Sequence, residues 1–115
     1  MGELPSSRTR SAKFALGQVV RHRIYPFRGV IFDVDPCFSN SEEWYLSIPE
    51  EGRPDRDQPF YHLFAENMDT EYIAYVSEQN LVADTSGEPV RHPRVLDSFE
   101  RGEGGHYHMR AHLRH

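Results

Sequence analysis

The chain has 115 residues, one domain's worth, with 37% hydrophobic residues and a mean hydropathy of -0.71, so part of it is expected to lie outside a packed core. No apolar run approaches the roughly 18 residues of a membrane span, the polar start MGELPSSRTRSAK lacks the apolar stretch of a secretory leader, and the single Cys37 excludes an internal disulfide or a cysteine zinc site; a reducing, cytoplasmic setting is expected. The net charge of -5 is uneven: residues 1–30 carry +5, residues 31–90 carry -12 and residues 91–115 carry +2, so only the N-terminal quarter could attract phosphates.

Residues 1–12 read as a disordered lead of Pro, Ser and Arg. Residues 13–83 carry the hydrophobic pattern, and its period is two. A first strand is expected over Gln18–Arg23. Pro26 then fits the second position of a type I turn, and Gly29 tolerates a close backbone contact. Val30, Phe32 and Val34 alternate with Ile31, Asp33 and Asp35, which predicts a second strand with one apolar face, stopped by Pro36 and forming a hairpin with the first. The next 23 residues, 36–58, are too many for a structureless loop in a compact domain. Ser41 followed by Glu42 and Glu43 is helix-start chemistry, so a turn or two of helix is expected through Trp44, Tyr45, Leu46 and Ile48, ending near Pro49. A third strand follows over Pro59–Glu66, with Pro59 where no ladder donor is needed. Asn67–Thr70 makes a turn, and Tyr72–Val76 is the fourth strand. Ser77 caps a short helical or 3₁₀ turn, and Leu81–Ala83 returns as a fifth strand. Residues 84–115, rich in Gly, Pro, Arg and His, read as an extended or disordered tail. The expected fold is all-β: a small five-stranded SH3-like barrel, partly open, with a long and partly helical insertion between the second and third strands.

The side-chain constellations point to binding and not to a reaction. Asp33 and Asp35 share a strand face and could hold a cation or act as acid and base, but a solvated outer face explains them as well. His62 has no Ser, Cys or Lys partner in a recognisable nucleophile setting, and is expected to be satisfied by the sheet. No phosphate loop, HExxH, CxxC or nucleophile elbow is present. His106, His108, His112 and His115 near the end favour adventitious nickel or zinc over a physiological metal site. The aromatic set supplies the expected partner contacts, Phe27, Trp44, Tyr45 and Tyr61, since Trp and Tyr dominate protein-contact hot spots. For Trp44 the alternative is simply to cap the open end of the barrel. The basic set Arg21, Arg23 and Arg28 beside the first hairpin is the candidate for phosphates, against ordinary solvated charge or ion pairs with the acidic middle. No enzyme, no metal and no cofactor are expected.

Several strings taken together resemble the HspQ family, also called YccV-like or hemimethylated-DNA-binding proteins. They are Lys13-Phe14 … Gly17-Gln18-Val19-Val20-Arg21-His22, Arg28-Gly29-Val30 … Asp33-Val34-Asp35-Pro36, Pro59-Phe60-Tyr61-His62 and Tyr75-Val76-Ser77-Glu78 … Leu81. The match runs from about Lys13 to Leu81. Ser41-Glu42-Glu43-Trp44 and the stretch Asp84–Pro89 look like the alphaproteobacterial branch. The resemblance implies an SH3-like barrel, a heat-shock role, a trimeric assembly and no catalytic residues. It also implies a specificity factor for the Lon protease that acts on denatured or selected client proteins, with hemimethylated DNA as the alternative partner.

Overall fold

The structure is a computed structural model that describes residues 11–111. Nearly all of the expected N-terminal lead therefore lies outside the described residues, as do His112 and His115. Five antiparallel strands, β1 (Val19–His22), β2 (Arg28–Asp35), β3 (Phe60–Glu66), β4 (Glu71–Ser77) and β5 (Leu81–Ala83), form one sheet in the order β4-β3-β2-β1-β5. The sheet curls without closing, so β4 and β5 are its edges, and the expectation of five strands with open ends holds. Pro36 and Pro59 bound the ladder where sequence placed them. The β1–β2 turn differs: the Phe27 N–H donates to the Tyr25 carbonyl at 2.9 Å, so Pro26 centres a three-residue γ-type turn and not a type I turn. Gly29 is needed where it stands, since a Cβ there would come within 2.6 Å of the Phe64 carbonyl oxygen.

The expected single apolar face of β2 is corrected by a β-bulge. Ile31 pairs with Leu63, but the next partners are Asp33 and His62, leaving Phe32 as the extra residue. Val30 and Phe32 point to one side of the sheet. Beyond the bulge Val34 joins Ile31 on the other. Each face carries a buried core. The inner core holds Phe14, Val20, Ile31, Tyr61, Leu63 and Leu81 among others. The outer core joins Val19, Val30 and Phe64 of the sheet to Val90, Val95, Phe99 and Tyr107.

Those last residues belong to the segment expected as a tail. It instead carries a one-turn helix, Val95–Ser98, followed by β6 (Phe99–Arg101) and β7 (Tyr107–Met109), which pair antiparallel. Four apolar side chains spaced through 18 polar-rich positions show no period, yet their burial contributes on the order of 8 kcal/mol gross. Tyr107 fastens the segment: its backbone N–H donates to the Gly17 carbonyl at 3.1 Å, and its hydroxyl accepts the Val90 N–H at 3.0 Å.

The insertion between β2 and β3 is partly helical, as expected. Its helix α1 spans Glu42–Leu46, with the Ser41 hydroxyl accepting the Trp44 N–H at 3.0 Å and two acids in the first turn. It ends before Ile48, and a 3₁₀ turn over Glu50–Gly52 leads back to β3. Phe38 anchors the insertion by packing against Trp44, Tyr45, Phe60 and Tyr75, with ring centroids 5.2–6.2 Å apart.

Candidate functional site: an aromatic groove at the sheet edge

Pinning the insertion beside edge strand β4 leaves a groove of about 390 Å³ between it and the tip of the β1–β2 hairpin. Trp44, Ile48, Pro49 and Pro54 line one wall, Tyr25 and Phe27 the other, and Tyr72, Ala74 and Tyr75 lie between. Trp44 belongs both to the packing of the insertion and to the groove wall. It packs edge-on against Tyr75 at 5.4 Å and still faces the groove. Phe27 is half-buried, edge-on to Tyr72 at 5.9 Å. The hairpin wall is held by His22, whose Nδ1 accepts the backbone N–H groups of Ile24 and Tyr25, each at 3.0 Å. An acceptor Nδ1 means a neutral imidazole, and burial followed by the Arg23 charge holds its pKa below the usual value.

Two of the four expected contact aromatics are elsewhere. Tyr61 is fully buried in the inner core, its hydroxyl donating to Glu78 Oε2 at 2.7 Å and accepting the Phe14 N–H at 3.1 Å. It is a core residue, because its strand position faces inward. Tyr45 turns from the groove: its hydroxyl donates to the Pro54 carbonyl at 2.6 Å, and the Arg56 guanidinium stacks 3.9 Å over its ring. Tyr25, Tyr72 and Tyr75 were not singled out by sequence. Only the pairing of β3 with β4 and the path of the insertion bring them together.

The basic set also divides. Arg28 is not a free phosphate ligand. It donates to Glu66 at 2.7 Å, Asp84 at 2.9 Å and the carbonyls of Glu88 and Pro89 at 2.7 and 3.2 Å. Glu66 also accepts the Arg91 backbone N–H at 2.7 Å. The cluster clasps the C-terminal segment to the sheet, so Arg28 forms ion pairs with the chain's own acids. Arg21 and Arg23 are exposed, and Arg23 lies past the end of β1, where it donates to Asn80 at 3.3 Å. Asp33, Asp35 and His62 meet on the outer face of the sheet, with His62 Nε2 3.1 Å from Asp35 Oδ2.

Against known proteins, the family described as "Hemimethylated DNA-binding protein YccV like" matches residues 12–106. The chain belongs to the YccV-like family. The match continues past Leu81 through β6, so it includes most of the C-terminal segment packed on the sheet and stops just before β7. This family is described by binding and not by a reaction. The chain is 29% identical to F-box only protein 21 of Mus musculus over 105 residues, and 28% identical to the proteins of that name from Homo sapiens and Pongo abelii. In each case 90% of this chain is covered but only 16% of the relative, so the chain spans about a sixth of their length. Among the described residues no helix is long and apolar enough to cross a membrane.

Proposed function

We propose that the chain is a non-enzymatic adaptor whose groove receives an apolar side chain of a protein partner. Through it, the chain modulates degradation of denatured or selected proteins by a Lon-type protease in the cytoplasm. The groove carries the binding half of this reading: its volume and aromatic walls suit a side-chain anchor, and Trp and Tyr are the usual hot-spot residues. Glu43, Glu50 and Glu51 stand exposed on the insertion around it, which favours a partner with Lys or Arg beside the anchor. The protease half rests on the family resemblance, and assembly as a homotrimer belongs to the same proposal, since a small domain gains by burying surface between subunits.

Trp44 is the chain's one tryptophan, so its emission reports the groove directly. Denatured client peptides should shift it; Tyr72→Ala, read by the same emission, and Trp44→Ala, read by calorimetry, should each weaken binding by about 30-fold, the 2 kcal/mol of a hot spot. The chain should also change the rate of a purified Lon-type protease on those clients. Unchanged emission together with an unchanged rate rejects the adaptor.

The family's description favours a second reading, hemimethylated DNA, for which Arg21 and Arg23 are the available cations. Duplex binding that weakens steeply with salt and is lost in Arg21→Ala/Arg23→Ala would select it. The net charge of -5 and the internal use of Arg28 favour the protein partner.

A further inference from the structure

We propose that Asp33, Asp35 and His62 form a binding site for a divalent transition-metal ion on the outer face of the sheet, beside the groove and sharing Tyr75 with it. The bulge at Phe32 creates it by resetting the register, so that Asp33 stands opposite His62 while Asp35 follows two residues on, on the same face. One ligand atom from each residue lies within 4.8 Å of the others. The His62–Asp35 separation of 3.1 Å already matches the ~3.3 Å between neighbouring ligands around a tetrahedral ion with bonds near 2.0–2.1 Å.

Two features distinguish this from a stray acidic cluster. The ligands are oriented from behind: the Tyr75 hydroxyl donates to Asp35 Oδ2 at 2.8 Å, and the His62 ring is packed by Tyr75 at 4.7 Å and Phe32 at 5.8 Å. Carboxylate ligands held by second-layer hydrogen bonds are the usual architecture of a metal centre. The charge is also unbalanced. Among the described residues neither carboxylate is paired with Lys or Arg; Asp35 has His62 and the neutral Tyr75 hydroxyl, and Asp33 accepts a bond from the Val34 backbone N–H at 2.9 Å. An ordinary ion pair explains Asp35 but leaves Asp33 beside it without a cation, whereas a dication satisfies both. One imidazole and two carboxylates suit Zn²⁺, Mn²⁺ or Co²⁺, and the exposed side leaves room for water as further ligand.

The test uses the full chain with Mn²⁺, which favours carboxylates over the histidine-rich end. Binding is followed by electron paramagnetic resonance, and its place by paramagnetic broadening of backbone amide signals. Broadening should centre on residues 33–35 and 61–63 and survive joint replacement of His106, His108, His112 and His115 by alanine. Asp33→Ala, at an exposed position, should weaken binding at least tenfold, and His62→Gln should do the same. Broadening confined to residues 106–115, equal affinity in Asp33→Ala, or no binding of Mn²⁺ or Zn²⁺ at millimolar concentration would overturn the site. Asp33→Ala decides the matter even if His62→Gln does not fold.

Discussion

Arg28→Ala would strip one guanidinium from two carboxylates whose side chains are only 8% and 7% exposed, Glu66 and Asp84. Removing one partner of a buried ion pair costs about 3–5 kcal/mol, mostly because a charge is left behind without compensation. Arg28 is itself 18% exposed, and Glu66 keeps Arg91 at 2.9 Å, so the lower end applies: about 3 kcal/mol. Urea unfolding should show it as a lower midpoint with unchanged slope, and the melting temperature of a domain this size should fall by roughly 15 °C. Asp84→Asn added to Arg28→Ala should give back part of the loss, with a coupling of about 1–2 kcal/mol, because it removes the orphaned charge. Amide exchange should quicken first over residues 84–91, whose carbonyls at Glu88 and Pro89 the guanidinium holds. A loss below about 1 kcal/mol, or strict additivity with Asp84→Asn, would refute the clasp.

Other substitutions probe the same architecture. Gly17→Ala should cost about 3 kcal/mol or more by thermal unfolding, since φ there is +85° and the added Cβ would stand 1.9 Å from the Tyr107 carbonyl oxygen. Phe99→Ala should destabilise by about 3–5 kcal/mol in a urea titration, as expected for a core ring and not for a residue in a loose tail. Acid should act in two stages. Burial first, then Arg23 and Arg94 respectively, keep His22 and His92 below the ordinary 6.5. Their stabilisation is therefore complete above pH 6.5 and lost as pH falls through their folded values. Burial pushes Glu66 and Asp84 upward, but hydrogen bonds from Arg91, Arg28 and Ser86 leave both below their ordinary 4.5 and 3.8. Their share persists until pH falls below those values, so a stability–pH curve should steepen there. Protonating His22 also takes away the acceptor for the Tyr25 N–H, so groove affinity read by Trp44 emission should drop in the first stage.

The sheet was legible because its signals are local. Pro36 and Pro59 mark strand limits, Leu81–Ala83 carries a short apolar run, and Ser41 with Glu42 and Glu43 announces a helix by capping chemistry. What sequence missed is non-local. The bulge at Phe32 depends on how β2 meets β3, so strict alternation assigned Val34 to the wrong side. Val90, Val95, Phe99 and Tyr107 have no common period, and their partners Val19 and Val30 lie at least 60 positions earlier. Arg28 and Tyr61 looked available because charge and aromaticity are visible in a sequence whereas burial is not. The groove was half legible: Trp44 and Phe27 stood out, but Tyr72 and Tyr75 read only as strand residues.

The second hydrophobic layer also decides how this domain can be handled. Expression of a fragment stopped after the fifth strand would leave Val19, Val30, Phe32 and Phe64 as an uncovered oily strip, a recipe for precipitation. A soluble unit for fusion or crystallisation has to run through Met109.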